Sequence, residues 1–321
     1  MFKIGKLSLC SNIILSPLAG VSDLPFRLLN RTFGASLAFV EMLNVRSLSY
    51  KSKKTRSMLI TNAQDKPLGV QLLGKEEKYI LKAMDILKSY TFDILDFNAA
   101  CPAKKVVRRG EGASLLREPK ELKKLLSLVV KHASVPVTVK IRAGWDSDTA
   151  RDVALQAEDA GIDALCIHGR TREQGYHGRV DYEAIRRVKK ALGIPVIASG
   201  DIFSAELAKK MVDETGCDAI AVARGCLGNP WIFQEIERIF AKGELLERPD
   251  VATIIAAMSS HLDAYVDFYG ERIAIIKFRK FFSWYTKGFR KVRHLRTRAS
   301  LAKTRGEMRA VIAQLSDNRG Q

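Results

Sequence analysis

The sequence has few cysteines, and their arrangement excludes two classes of protein. The five are Cys10, Cys101, Cys166, Cys217 and Cys226, an odd number with wide spacing and no Cys-x-x-Cys pair. This spacing argues against a disulfide framework and against a zinc site. We therefore expect a reducing, cytoplasmic environment and no bound metal.

Long apolar runs are also absent. Hydrophobic residues make up 47% of the 321 residues, but they occur in strand-length runs interrupted by Gly, Pro or charge. The start of the chain, Met1-Phe-Lys-Ile-Gly-Lys-Leu7, lacks the apolar core and cleavage site of a signal peptide. The sequence therefore predicts neither a membrane span nor a secretory signal.

Acidic residues are scarce at the C-terminal end. Residues 272–321 contain 14 Lys/Arg and two acidic residues, so they carry +12 of the net charge of +18. The aromatic residues interleaved with these charges are Phe278, Phe281, Phe282, Trp284, Tyr285 and Phe289. A one-signed charge excess mixed with aromatic residues favours nucleic-acid binding. A solvated helix face and an anionic membrane surface are the alternatives.

Eight short apolar segments predict β-strands, at Asn12–Pro17, Leu37–Glu41, Leu68–Leu72, Ile94–Asn98, Val137–Arg142, Ala164–His168, Val196–Ser199 and Ala219–Ala223. Amphipathic helical segments lie between them, at Lys75–Ser89, Pro119–His132, Ala150–Ala160, Tyr182–Leu192 and Ser204–Thr215. Strands that are apolar on both faces and alternate with helices indicate a parallel sheet. Eight such units in roughly 230 residues predict an α/β fold, a (β/α)8 TIM barrel. A doubly wound sheet is the alternative, but no Gly-x-Gly-x-x-Gly follows the first strand.

The pattern changes at Lys242-Gly243. The helical segment Leu227–Phe240 ends there, and a charged linker, Glu244–Asp250, follows. Beyond it the sequence predicts only helices, at Val251–Tyr269 and Glu271–Lys287, with one or two more over Arg293–Leu315. We therefore predict a barrel domain over residues 1–242 and a small all-helical C-terminal domain over residues 243–321.

The predicted strands end on residues that can bind ligands, and in a TIM barrel these ends form the active site. The residues are Ser16, Pro17, Leu18, Gln71, Asn98, Cys101, Lys140, Arg142, His168, Ser199, Gly200, Asp201, Ala223 and Arg224. Amide, ammonium and imidazole groups can hydrogen-bond a polar planar ring, and the last two strands supply the usual phosphate site. Together they predict a pocket for a phosphorylated planar cofactor such as FMN. Taken singly, Lys140 could pair with Asp96, and Cys101 could be a packed, inert thiol.

These residues lie in motifs that resemble the tRNA-dihydrouridine synthases, most closely their bacterial B-type branch. The most specific are Asn98-Ala-Ala-Cys-Pro-Ala-Lys-Lys105 and His168-Gly-Arg-Thr171. Other matching segments are Ser16–Arg27, Gln71–Gly74, Gly112–Leu116, Val139–Trp145, Ile197–Ile202 and Ala223–Phe233. The basic helical tail also fits the family.

The resemblance implies an FMN enzyme that reduces the C5=C6 bond of uridine in tRNA, with NADPH as electron donor. It implies that Ser16, Pro17 and Leu18 meet the flavin through their backbone. Gln71, Lys140 and His168 would bond the ring or its side chain. The residues implied to hold the ribityl phosphate are Ser199, Gly200, Asp201, Ala223 and Arg224. Cys101 would be the proton donor.

The implied partner is tRNA, and we expect a monomer with no membrane attachment. The residues predicted to contact tRNA are Asn98, Lys104, Lys105, Arg108, Arg142, Arg170, Arg172, Lys277, Arg279, Lys280, Lys287 and Arg290. A thiol with a reference pKa of roughly 8.5 remains a proton donor near neutral pH. The basic residues that follow Cys101 in sequence would lower the pKa of its thiol, so we expect them to bind RNA phosphates instead.

Three residues depart from the family pattern. Ala100 stands where the family usually has glycine before the cysteine, Ser199 where it has asparagine, and Leu18 where it has methionine. Ala100 would restrict the turn if that position required a positive φ. Two other functions stay open: an FMN-dependent reductase of a free pyrimidine, which the basic tail argues against, and a non-catalytic tRNA-binding protein.

Overall fold

Eight parallel strands close into a barrel in the computed structural model, which describes residues 1–318. The strands are β1 (Phe2–Ile4), β2 (Leu7–Leu9), β3 (Ile13–Leu15), β4 (Leu37–Phe39), β5 (Leu43–Asn44), β6 (Leu68–Leu73), β7 (Ile94–Asn98), β8 (Val137–Gly144), β9 (Ala164–Thr171), β10 (Val196–Ser199) and β11 (Ala219–Val222). The barrel consists of β3, β4 and β6 to β11, and the pairing of β4 with β6 closes it. The predicted TIM barrel is thus confirmed.

Helices cover the outside of the barrel and continue beyond its last strand. They are α1 (Leu24–Thr32), α2 (Val45–Ser49), α3 (Lys53–Ser57), α4 (Glu77–Leu87), α5 (Lys104–Val107), α6 (Pro119–His132), α7 (Ala150–Glu158), α8 (Tyr182–Ala191), α9 (Ala205–Thr215), α10 (Ile232–Lys242), α11 (Val251–Tyr269), α12 (Glu271–Tyr285), α13 (Arg293–Leu301) and α14 (Arg305–Ala313). Short 3₁₀ turns occupy Gly112–Arg117, Arg224–Cys226 and Gln314–Asn318. Of the one or two helices predicted over Arg293–Leu315, the structure has two, because Thr304 accepts a hydrogen bond from the Glu307 N–H and begins a new helix.

A hairpin that the sequence pattern did not predict closes the bottom of the barrel. Its strands β1 and β2 pair antiparallel, and Gly5 between them has a φ of +53°. Ile4 and Leu9 are fully buried against the lower barrel interior, where Ile14 and Ile94 also lie. The other end of the barrel is therefore the one open to ligands.

Four of the six aromatic residues that the sequence places among the tail charges form a core, and Trp284 and Phe289 are half-buried. Phe278, Phe281, Phe282 and Tyr285 are at most 4% exposed. The ring of His261 lies edge-on to Phe281, with centroids 4.6 Å apart, inside this cluster. Burial of the aromatic faces stabilises the packing of α11 on α12, so the tail offers its charges to solvent but few of its rings.

Two contacts attach these helices to the barrel. The carboxylate of Asp23, which caps α1, accepts hydrogen bonds from the hydroxyls of Tyr265 (2.7 Å) and Tyr269 (2.8 Å). Burial raises the pKa of Asp23, while these two hydroxyls and Lys277 act in the opposite direction. At the second contact, a Cβ on Gly228 would lie 2.3 Å from the backbone carbon of Trp284. The barrel and α12 thus meet backbone to backbone.

We predict that Gly228→Ala destabilises the protein more than Gly243→Ala does. The two glycines have nearly equal φ values, +70° and +71°, but nothing lies within 4 Å of a Cβ at Gly243. In either variant the left-handed backbone of the new alanine destabilises the folded state by roughly 1–2 kcal/mol. Only the alanine at position 228 must also displace α12. Thermal unfolding followed by circular dichroism measures the difference. Equal losses in Tm would contradict the close approach.

Candidate active site

The carboxyl ends of the barrel strands open into a cleft with about 950 Å³ of empty space, which includes part of its mouth. All residues predicted to bind the cofactor line this cleft: Ser16, Pro17, Leu18, Gln71, Lys140, His168, Ser199, Gly200, Asp201, Ala223 and Arg224. Cys101, Asn98 and Arg142 line it too. The parallel barrel therefore brings together side chains that are more than 200 positions apart in sequence.

A chain of buried polar side chains runs from the barrel interior to Cys101. Asp96 accepts hydrogen bonds from Thr138 Oγ1 (2.6 Å) and Gln71 Nε2 (2.7 Å). Gln71 Oε1 in turn accepts from Asn98 Nδ2 at 2.8 Å. Burial raises the pKa of the Asp96 carboxyl to about 6, while the bonds from Thr138 and Gln71 act in the opposite direction.

Asn98 shapes the turn that presents the cysteine. Its Oδ1 accepts hydrogen bonds from the backbone N–H groups of Ala100 (3.0 Å) and Cys101 (2.9 Å). Ala100 stands where the related motif has glycine, but its φ is not positive. Its Cβ therefore causes no left-handed backbone strain.

Cys101 is half-buried at the side of the cleft. Burial raises the pKa of its thiol, whereas the Ala103 N–H and the nearby charges of Arg142 and Arg109 act to lower it. Arg142 is held in place by bonds from its Nε to the Ala100 carbonyl (2.8 Å) and from Nη1 to backbone carbonyls on the far side. Because burial dominates, the thiol keeps its proton at neutral pH.

Lys140 extends into the floor of the cleft. Its Nζ donates to Ser199 Oγ at 3.1 Å and lies 3.4 Å from Cys166 Sγ. An ion pair with Asp96, the structural alternative for Lys140, is not formed among the described residues. The ammonium group therefore contacts a hydroxyl and a thiol rather than a carboxylate and is available to a ligand.

His168 is neutral over the whole physiological range. Burial is the largest cause, and the charges of Lys140, Arg142, Arg170 and Arg224 add to it, so that its pKa falls to about 2. A neutral imidazole keeps one ring nitrogen as an acceptor and one as a donor. A Cβ on Gly200 would lie 2.8 Å from His168 Cδ2, so glycine is required for the chain to pass this ring.

Charged groups gather where the last two barrel strands end. Asp201 has a backbone φ of +50°. Its carboxylate pairs with Arg170 and, at 2.9 Å, with Arg224 Nη2. The Arg170 hydrogen bond is the largest cause that lowers the pKa of Asp201. Arg224 also lies over the ring of Tyr176, with Cζ 4.4 Å from its centroid, and near Phe203 at 5.4 Å. Its guanidinium is thus oriented but remains partly exposed.

The residues predicted to contact RNA divide into three groups by their exposure. The exposed ones are Lys104, Lys105, Arg108, Lys287 and Arg290. Lys277 and Lys280 are half-buried beside aromatic rings, and Arg172 lies over Trp145 at 4.6 Å.

The others point inward. Arg170 is 1% exposed and donates to the carbonyls of His177 (3.0 Å) and Gly178 (2.6 Å). Arg279 donates to the Ala302 carbonyl at 2.8 Å. Arg142 and Asn98 hold the cysteine turn. These four side chains are therefore occupied by the protein's own backbone and polar groups.

Sequence reasoning missed the aromatic wall of the cleft. Tyr176 and Phe203 line it, and Met42 closes another side. Tyr176 lies in a glycine-rich loop after β9, and Phe203 follows the turn at Asp201. Their only sequence signal is an aromatic residue within a few positions of a strand end.

Two further properties concern the described residues. Over residues 1–316, no His, Cys, Asp and Glu side chains form a group of three or more that could hold a metal ion. No helix in that same range is long and apolar enough to cross a membrane.

Comparison with protein families gives a match over nearly the whole chain. The family model described as Dihydrouridine synthase matches residues 14–318. The tRNA-dihydrouridine synthase B of Pseudomonas aeruginosa is 40% identical over 285 residues, which cover 88% of this chain and 86% of that protein. The enzyme of the same name from Xanthomonas campestris is 38% identical over 321 residues, 97% of each chain. A probable tRNA-dihydrouridine synthase of Rickettsia conorii is 38% identical over 291 residues, 90% of this chain and 88% of that protein.

Among solved structures the similarity is one of fold. The 6-hydroxypseudooxynicotine amine oxidase of Pseudomonas geniculata superposes with a TM-score of 0.58 at 14% identity, covering 82% of this chain and 52% of that chain. Histamine dehydrogenase of a Rhizobium species gives a TM-score of 0.54 at 12% identity, covering 82% and 50%. This chain thus spans about half the length of either.

We predict that the His168 imidazole does not take up a proton between pH 8 and pH 5. Its folded pKa of about 2 lies below its value in the unfolded chain, so protonation would cost stability rather than add to it. In a ¹⁵N-histidine sample, the imidazole nitrogen shifts that His168→Gln assigns to His168 should stay constant over this range, as should those of His261, whose pKa burial lowers to about 3. A His168 titration near pH 6.5 would contradict the prediction.

Proposed function

The chain belongs to the dihydrouridine synthase family, and we propose that it reduces the C5=C6 bond of uridine in tRNA within the cleft described above. The observation that carries this proposal is the position of Cys101, a protonated thiol on a cleft whose other side chains suit a phosphorylated planar ring. The alternative of a free-pyrimidine reductase has less support, because the basic tail and the relatives' names both point to tRNA.

We propose FMN as the cofactor, and one observation tests whether the residues fit it. Ser16 Oγ is buried without a hydrogen-bond partner among the described residues, at the wall of the cleft. A ligand with polar ring atoms would satisfy this hydroxyl. Gln71, Lys140 and His168 supply amide, ammonium and neutral imidazole groups around the same space, so the residues fit a flavin ring.

The phosphate of FMN would bind at Ser199, Gly200, Asp201, Ala223 and Arg224. Arg224 supplies the positive charge, and Asp201 holds it in place from the side (2.9 Å). Arginine suits this task because its planar fork can bind phosphate oxygens in pairs. Pro17 and Leu18 would meet the ring through the backbone of the first turn.

Reduced FMN would supply a hydride to C6 of the uracil ring, and we propose NADPH as the source of electrons. Cys101 supplies the proton at C5, the carbon that becomes basic because it is conjugated with the C4 carbonyl. Burial keeps the thiol protonated at neutral pH, as a general acid requires. Asn98 orients this group through the turn at Ala100 and Cys101.

The RNA contacts follow from charge and exposure. The target base must leave its stack to reach the cleft, at a cost of about a few kcal/mol. Lys104, Lys105 and Arg108 are exposed directly after the cysteine turn, where they would bind phosphates beside the flipped nucleotide. For Arg142 and Arg170 the geometry favours a positioning role, since their donors are used internally.

We propose that residues 243–321 form the main tRNA-binding region through the exposed cations of the tail. We propose further that the protein acts as a monomer in the cytoplasm, where its substrate is. Light scattering during gel filtration tests the oligomeric state.

Cys101→Ala should lower the rate of dihydrouridine formation by at least about 100-fold, since general acids contribute roughly 10²–10⁴. Flavin content and tRNA affinity should stay unchanged. The measurement is single-turnover reduction of tRNA, with Cys10→Ala, which removes an exposed thiol, as the matched control. Wild-type turnover in Cys101→Ala would contradict the assignment.

Arg224→Ala should raise the Kd for FMN by about tenfold or more, because a charge-assisted hydrogen bond contributes roughly 1.5–3 kcal/mol. Arg186→Ala removes an exposed arginine of α8 that pairs with Glu183 and is the control. Flavin fluorescence titration of the apoprotein gives both constants. If the two variants bind FMN equally well, Arg224 does not hold the phosphate.

A further inference from the structure

The burial of the tail aromatics raises the question of which rings could stack on RNA bases. Stacking on an aromatic side chain contributes about 1–3 kcal/mol per base, but it requires an exposed ring beside cations. In the tail, Phe278, Phe281 and Tyr285 are buried, and Trp284 and Phe289 are half-buried. A more exposed ring beside several cations lies elsewhere, on α2 and α4 of the barrel.

Two tyrosines form the centre of this surface, which we call the tyrosine patch. Tyr50 is 64% exposed, and its hydroxyl lies 3.2 Å from that of Tyr79. Arg46 Cζ lies 5.4 Å and Lys78 Nζ 4.9 Å from the Tyr79 ring centroid. Lys82 Nζ lies 5.9 Å from the Tyr50 centroid. The patch comprises these five residues.

The segment beside the patch carries uncompensated charge. Residues 42–64 contain five Lys/Arg and no acidic residue. Lys51, Lys53 and Lys54 are exposed, and neither they nor Arg46 form an ion pair within residues 1–318. Some exposed cations of the barrel do have acidic partners, as Lys209 has in Asp213 and Lys78 of the patch has in Glu76. Unpaired cations around an exposed aromatic ring suit a nucleic acid, because the cations can bind its phosphates and the ring can stack on a base.

The patch is connected to the catalytic turn. Asn44 caps α2 and donates to Glu111 (3.2 Å), which pairs with Arg109 (2.7 Å) in the loop after Cys101. Tyr50 lies six positions after Asn44, about 9 Å along a helix at 1.5 Å per residue. The tail helices, which carry the other cations, contact a different part of the barrel. They pack beside β3 and β11, at the contacts of Asp23 and Gly228. The two basic surfaces therefore flank the cleft mouth from different sectors of the barrel.

We propose that the tyrosine patch is a second tRNA-binding surface, on which an unpaired base stacks against Tyr50 while Arg46 and the neighbouring lysines bind the adjoining phosphates. This inference rests on the proposed function, which makes tRNA the substrate. It adds a contact that holds the RNA next to the flipped uridine. The tail has most of its aromatic rings buried, so it offers mainly charge to the RNA backbone.

The test compares two variants of the full-length protein with a control of equal net charge. Tyr50→Ala removes the exposed ring, and Lys53→Ser with Lys54→Ser removes two unpaired charges. The control, Lys131→Ser with Lys190→Ser, removes two exposed charges from α6 and α8. Filter binding of unmodified tRNA at several salt concentrations, and steady-state reduction of the same tRNA, are measured for each.

Tyr50→Ala should raise the Kd for tRNA on the order of tenfold, with kcat at saturating tRNA within twofold of the wild type. The double lysine variant should lower the slope of log Kd against log salt by about 2, one for each lost phosphate contact. The control should leave the Kd unchanged. A raised KM with an unchanged kcat would indicate weaker tRNA binding, whereas a lowered kcat would indicate damage to the turn that carries Cys101.

Patch variants that bind tRNA as tightly as the control would overturn the proposal. So would variants that lose affinity for anionic lipid vesicles and keep it for tRNA. If the wild type formed no dihydrouridine while the patch variants still lost tRNA affinity, the proposed function would be refuted, whereas the tRNA-binding role of the patch would be supported.

Discussion

The arrangement of the cleft depends on the carboxylate of Asp96, which lies buried in the barrel below it. An ionised carboxylate only accepts hydrogen bonds, so Gln71 must turn its NH₂ group toward it (2.7 Å). The Gln71 oxygen then faces Asn98 Nδ2, and the Asn98 oxygen is left to accept the N–H groups of Ala100 and Cys101. One buried acceptor thus sets the direction of two amides and, through them, the turn that carries the thiol.

The second determinant is the balance of burial against positive charge around the ring site. Burial, and after it the charges of Lys140, Arg142, Arg170 and Arg224, lowers the pKa of His168 and keeps the imidazole neutral. The same kind of charge would convert Cys101 to a thiolate, but burial outweighs it there. The cations tolerate one another because carbonyls and Asp201 hold the arginines. A site that attracts an anion can therefore still keep an acid protonated.

Much of the fold and of the cofactor site follows from the sequence, because barrel strands are apolar on both faces and their ends converge by topology. The residues that were harder to predict have partners far away in the chain. Arg170 resembles an RNA contact in sequence, yet backbone carbonyls of its own loop satisfy it. The tail rings look like a nucleic-acid surface because periodicity does not reveal which helix faces are covered. Ala100 shows the converse, since its φ value removes a strain that the motif alone suggests.

The buried tail aromatics also bear on how the protein holds its substrate. Charge alone binds any RNA backbone and weakens steeply with salt, whereas presenting one base to a cleft requires a fixed register. A register needs contacts on both sides of the flipped nucleotide, because a single anchor leaves the RNA free to rotate about it. In the proposed binding mode, the tail cations form one of these contacts, and Tyr50 and Arg46 on the barrel form the other. The hydrogen bond from Asn44 to Glu111 links the helix that precedes Tyr50 to the loop after Cys101, so the proposed proton donor and the proposed RNA contact lie on connected segments.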